Sequence, residues 1–214
     1  MTLTEQPYSL TFKPNLILGP TKQLIVSKES IQLNRIGKSN EQAIHFDKND
    51  IVSYRFGIKW ITGYMFTIGR EYQLFIKDNT DRTIKINLKS FYGFKKKELT
   101  QRYSKIIESV WKNYFAKIAN DYLKQLSDGE MITICGVRIT DKEVTIETNN
   151  PLNKKSISIP WEHVGTKDYH TYYAIFSTEN PTDINRGYYY KDEWNVGVLY
   201  SVMETLKNHL TEPD

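Results

Sequence analysis

A single cysteine, Cys135, stands in 214 residues, so the chain has no partner for an internal disulfide and fits a reducing compartment. It lies between Ile134 and Gly136 in an apolar run, the setting of an inert thiol rather than a nucleophile. No run approaches the length of apolar residues that crosses a bilayer. The N-terminal stretch, Met1 to Pro7, holds no basic segment followed by an apolar one, which argues against a signal peptide and for a cytoplasmic protein. Catalytic signatures are also missing. There is no G-x-x-x-x-G-K-[ST], G-x-G-x-x-G, G-x-S-x-G, H-E-x-x-H or C-x-x-C. The expectation is a protein that is not an enzyme and needs no cofactor.

Histidine is scarce, with His45, His163, His170 and His209. His163 and His170 have Glu162 and Asp168 nearby, but a metal needs three or four converging ligands, and strand spacing does not ensure that. They read as surface or half-buried side chains, with no metal site.

What the chain has in plenty is aromatic: 13% of residues, 15 of them tyrosine. Tyr and Phe favour strands, so the composition leans towards β structure. Charge is divided unevenly. Residues 1–128 carry a balance of +9 and residues 129–214 one of −5. That asymmetry fits an anionic partner for the first half, or mutual docking of the halves.

A repeat underlies the chain. Leu24 to Leu33 reads as strand, tight polar turn, strand, and Val137 to Ile146 reads the same way. Ile44 to Ile51 matches Ile157 to Val164, and the offset is the same as that from Leu24 to Val137. In the first copy further strands are expected at Ile51–Ile58, Tyr64–Ile68, Tyr72–Lys77 and Thr83–Leu88, with a turn at Asp78-Asn79-Thr80-Asp81. The second continues through Tyr169–Ser177 and Gly187–Lys191 and lacks much of the segment Trp60–Tyr72, as a reduced unit would. Each copy ends in an amphipathic helix. The first runs through Leu99, Tyr103, Ile106, Val110, Tyr114 and Ile118 to Leu123 and stops at Ser127-Asp128-Gly129; the second follows Val198, Val202 and Leu206. The domains predicted are 1–128 and 129–214, the C-terminal half of the first helix packing on the second copy.

Strand order and closing helix together resemble the pleckstrin-homology-like superfold, in its bacterial or GRAM-type form and in tandem. The residues that carry the resemblance are the hairpins Leu24–Leu33 and Val137–Ile146, the strands Ile44–Ile51 and Ile157–Val164, and the two helices. Ile159-Pro160-Trp161-Glu162-His163-Val164 is similar to an edge found in such domains. The resemblance implies an α+β fold of two antiparallel barrel or sheet units, each closed by a helix, and a binding rather than catalytic role. Phosphoinositide-binding members place several cations in and after the first hairpin; here Ser27-Lys28-Glu29-Ser30 has one cation and one anion, followed by Arg35 and Lys38.

Two segments stand out as binding candidates. Tyr54 to Phe66 mixes aromatics, cations and two glycines and has no counterpart in the second copy. Within it Arg55, Lys59, Trp60, Tyr64 and Phe66 are side chains favoured at interfaces. Lys95, Lys96 and Lys97 follow Phe91-Tyr92-Gly93-Phe94, basic residues beside aromatics at a helix start. The function expected is protein–protein interaction, as an adaptor or a toxin-neutralising immunity-type protein. The alternative is binding to a membrane or anionic lipid through the basic first half. The acidic second half disfavours nucleic acid.

Overall fold

The computed structural model describes residues 7–13, 20–37, 43–148 and 155–211. The segment 1–6 and Lys38, read in the sequence for a leader and for phosphate-binding spacing, lie outside them. The chain divides into two compact units, Met1–Phe115 and Ala116–Asp214. The boundary drawn from sequence follows Asp128, at the end of the helical run; the division in space falls within that run.

Among the described residues, unit 1 contains seven strands. β1 (Tyr8–Phe12), β2 (Thr21–Val26), β3 (Ser30–Ile36) and β4 (Ile44–Asp47) form one antiparallel sheet in sequence order. β5 (Ile51–Thr62), β6 (Thr67–Asp78) and β7 (Thr83–Phe91) form a second. Alternation decides which face is buried. Leu24 and Val26 lie opposite Leu33 and Ile31 in register, and all four are buried. Leu74 and Ile76 meet Ile86 and Ile84 in the same way.

The helix α1 (Lys96–Val110) brings Tyr103, Ile106 and Val110 into this core. One wider, π-helical turn follows, Trp111–Phe115, in which Phe115 stacks on Tyr54 at 3.9 Å between centroids. Two tyrosines tie the helix to the strands. Tyr103 Oη donates towards the carbonyls of Gly57 and Gln73, at 3.0 and 2.8 Å. Tyr114 Oη donates towards those of Ser27 and Ser30, at 2.8 Å each.

Unit 2 opens with α2 (Ala116–Ser127), ended by Gly129 at φ +84°. β8 (Ile132–Ile134), β9 (Val137–Ile139), β10 (Glu143–Glu147) and β11 (Ser156–Pro160) form a four-stranded sheet. β12 (Val164–Asp168), β13 (Tyr172–Ser177) and β14 (Asn185–Tyr189) form a three-stranded one. α3 (Val196–Thr211) follows, and its Val198, Leu199, Val202 and Met203 are buried. α2 packs on α3 and on β8.

The same plan therefore occurs twice: four strands, three strands, helix. The repeat offset survives in detail. Short 3₁₀ turns at Lys48–Asp50 and Trp161–His163 keep the spacing that separates Leu24 from Val137, and so do the starts of β5 and β12. Among the described residues the second unit is shorter and has as many strands as the first.

Of the expected barrel or sheet units, the structure shows sheets and not closed barrels. Both units are α+β with open antiparallel sheets, and among the described residues no ladder joins a four-stranded sheet to its three-stranded neighbour. The 3₁₀ turns redirect the chain between the two sheets, so β4 and β5 do not pair. A correction concerns β6. Separate strands at Tyr64–Ile68 and Tyr72–Lys77 are replaced by one strand, Thr67–Asp78, preceded by a turn through Gly63-Tyr64-Met65-Phe66. Gly69 resembles a break in the sequence. In the sheet it is a close approach: a Cβ there would stand 2.5 Å from the Ser90 carbonyl oxygen and 3.1 Å from the Phe91 ring.

Candidate docking surface

The two units differ most in the hairpin after the first 3₁₀ turn. In unit 2 Val164 pairs with Ser177, whereas the equivalent Ile51 of unit 1 pairs with Asp78, much further along the chain. The added length in unit 1 is a ladder from Gly57↔Gln73 out to Thr62↔Thr67. The tip is closed by Gly63 N–H donating to the Phe66 carbonyl at 2.8 Å. β7 accompanies this ladder as far as Gly69↔Phe91. The chain then stays at the same end of the sheet, because Tyr92 N–H donates to the Ile68 carbonyl at 2.8 Å. A tight turn follows. Tyr92, Gly93 and Lys95 all have positive φ, Phe94 N–H donates to Phe91 O at 2.9 Å, and Ser90 Oγ donates to Phe94 O at 2.8 Å.

The result is a concentration of uncovered apolar surface. Among the described residues the five most exposed large apolar side chains are Tyr64 at 101%, Met65 at 85%, Tyr92 at 82%, Phe66 at 66% and Phe94 at 60%. All five belong to the tip or to the turn after β7. Trp60, also exposed, lies on the adjoining ladder under the Arg70 guanidinium, 4.6 Å from ring centroid to Cζ. Single exposed apolar residues are ordinary, but a cluster of this kind marks a contact surface.

Cations border the cluster. Lys95, Lys96 and Lys97 are exposed, and the Lys95 ammonium lies 5.7 Å from the Phe94 ring centroid; Lys59 is exposed too, on the side of the ladder away from Trp60. Residues 51–70 and 82–97 contain no Asp or Glu. The carboxylate nearest in register is Glu71, opposite Lys59, and its oxygen lies 3.6 Å from Lys89 Nζ. Behind Lys95 a cleft of about 360 Å³ is lined by Lys13, Lys89, Arg102, Glu98 and Leu99 among others.

The structure places the sequence candidates unequally. Trp60, Tyr64, Phe66 and Lys95–Lys97 stand at the hairpin end. Arg55 does not: it is half-buried in the middle of the ladder, its guanidinium 4.9 Å from the Phe75 centroid. Lys59 points to the same side as Arg55, since alternate residues of a strand face opposite ways. Met65, Arg70, Tyr92 and Phe94 complete the surface and are not among the sequence candidates.

The groups capable of chemistry lie elsewhere and are occupied. Cys135 Sγ donates to the Trp194 carbonyl at 2.9 Å, and burial, reinforced by Glu193, pushes its pKa up to about 12. His163 Nε2 lies 3.3 and 3.4 Å from carboxylate oxygens of Glu162 and Glu179. Among the described residues no three His, Cys, Asp or Glu side chains gather so as to hold a metal ion. Nor is any helix of the described residues long and apolar enough to cross a membrane.

No family model matches the chain, and no curated protein matches it. Among solved structures, it is similar to a chain described as "Structure of the Spt16D Pob3N heterodimer", at 12% identity and a TM-score of 0.30, over 87% of this chain and 96% of that one.

Proposed function

We propose that the protein is a non-catalytic docking module built from two pleckstrin-homology-like units, and that the hairpin end of unit 1 is the surface it docks with. The twice-repeated order of four strands, three strands and helix supports the fold reading. One observation carries the functional one: the five most exposed large apolar side chains crowd one end of one sheet. Leaving them in water forgoes about 25 cal/mol for each Å² that burial would remove from solvent. Removing them by mutation would cost unit 1 little, because side chains this exposed contribute little to its core.

Tyr, Trp, Phe and Met are the side chains that concentrate in contact surfaces. An adaptor, a toxin-neutralising protein and a peripheral membrane protein all work through such a patch. The test is a photoreactive diazirine amino acid at Met65 of the full chain, activated in living cells. The expected result is a covalent adduct to protein or lipid at position 65 and none from a control probe at Asp81, in the turn at the other end of the same sheet. Absence of any adduct from position 65 would refute the reading.

A further inference from the structure

The docking reading leaves open what covers the hairpin end. We infer that its occupant is an anionic lipid surface, engaged by shallow insertion of Tyr64, Met65 and Phe66 with the lysines of the Lys95–Lys97 run held at headgroup level. The inference rests on the docking reading and names its partner.

Three features of the site point this way. The first is shape. The apolar side chains sit on a projecting hairpin tip closed at Gly63–Phe66 rather than in a groove, so they suit penetration of a soft surface. An interfacial segment buries its apolar face only about 5–10 Å into the headgroup boundary, which matches so short a tip. The second is the order of residue types. Tyr64, Met65 and Phe66 stand outermost, while Trp60, Tyr92 and the lysines are set back along the ladder and in the following turn. Trp and Tyr prefer the boundary between hydrocarbon and water, with Lys beyond it.

The third feature is charge. Residues 57–70 and 88–97, which build this end, carry Lys59, Arg70, Lys89, Lys95, Lys96 and Lys97 and no carboxylate; the flanking carboxylates Glu71 and Glu98 lie beside Lys89 and Arg102. A second copy of the same end would be repelled. Lysine is depleted in the cores of protein interfaces, whereas clustered lysines beside an apolar patch are attracted to phosphatidylserine-type surfaces. Lys95 precedes α1 and Lys96 and Lys97 open it beside Glu98, where the helix dipole disfavours cations and no side chain caps the first turn. An anionic surface offsets that local cost.

The experiment uses the full chain and vesicles of phosphatidylcholine, with and without a phosphatidylserine fraction, read by co-sedimentation. Binding is expected to the anionic vesicles only. It should collapse when salt rises from about 0.1 to about 1 M, which shortens the screening length from about 10 to about 3 Å. K95Q/K96Q/K97Q is expected to weaken binding roughly a hundredfold, about fivefold per cation lost at the surface. Y64S/M65S/F66S should weaken it about tenfold or more at unchanged net charge. K167Q, in unit 2, should leave it unaltered. All these positions are exposed or half-exposed, and an unchanged thermal midpoint confirms that each variant folds. No sedimentation with phosphatidylserine vesicles at low salt overturns the inference, as does binding indifferent to the tip substitutions. If vesicles are ignored while the Met65 probe captures a protein, the lipid assignment falls and the docking reading stands. If position 65 captures nothing, both fall.

Discussion

At Asp78, on the last step of β6, a carboxylate with 1% of its surface exposed accepts four hydrogen bonds. They come from the backbone N–H and hydroxyl of Thr80 and from the backbone N–H and Nε of Arg82. Arg82 Nη2 adds an ion pair at 2.7 Å. Desolvation pushes the Asp78 pKa up, and the bonds from Arg82 and Thr80 push it down further, so the net shift is downward. A folded pKa below the unfolded one contributes stability that is complete above the ordinary aspartate value of about 4 and lost as pH falls through the folded value. Asp78→Asn keeps the shape and removes the charge. It is expected to destabilise by about 1–3 kcal/mol at neutral pH. The gap from wild type, measured by urea midpoints, should close on acidification; a gap that persisted below the folded pKa would contradict this account. The turn is legible in the sequence, because Asp, Asn and Thr in succession initiate turns. Its buried charge is not, because burial depends on Ile51 lying opposite Asp78 across the ladder. The same reason limits the site prediction. Arg55 and Lys59 are close to Trp60 in sequence, but the pleat turns them to the other side.

At the scale of elements, the start of α1 is the place where local preference and structure disagree. Lys95 precedes the helix in the left-handed conformation at φ 54°, without a side-chain cap, and Lys96 and Lys97 follow it in the first turn. A non-glycine residue in that conformation costs roughly 1–2 kcal/mol, and cations near a helix N-terminus cost about 0.3–1 kcal/mol each. Lys95→Gly and Lys97→Glu should therefore raise the thermal midpoint while weakening docking. A variant that gained stability with docking intact would show that the lysines have no part in it. The amphipathic period reveals this helix from Leu99 onward, but not the π-helical turn at Trp111–Phe115, which follows from how Tyr114 and Phe115 fit the strands. β1 and β8 escape a reading of the sequence. Tyr8–Phe12 and Ile132–Ile134 are too short for a period of two to be distinguished. A strand break expected near Gly69 does not occur, because the Phe91 ring covers the missing side chain and the strand runs on.

Across the whole molecule, the constant repeat offset is the most informative feature of the sequence, because it survives where residue identity does not. It holds from β2 and β9 through the 3₁₀ turns, then breaks in the hairpin that carries the docking surface. What the offset could not locate is the division between the units. The helical run reads as one amphipathic element, and its C-terminal half, expected to pack on the second copy, is α2, which packs on α3 and β8 and buries Ala119 and Leu126. That assignment has a consequence for dissection. A fragment spanning 116–214 keeps α2 against α3, whereas 129–214, cut where the apolar period ends, uncovers that face. The burial of Leu126 and its neighbours contributes about 2–3 kcal/mol, a large part of the roughly 5–15 kcal/mol that holds a typical domain together. Fragment 116–214 is expected to give a dispersed amide spectrum and a cooperative thermal transition. Fragment 129–214 should melt lower or not cooperatively at all. Equal stability of the two fragments would mean that α2 contributes nothing to the second unit and that the sequence-drawn boundary at 128 is the physical one.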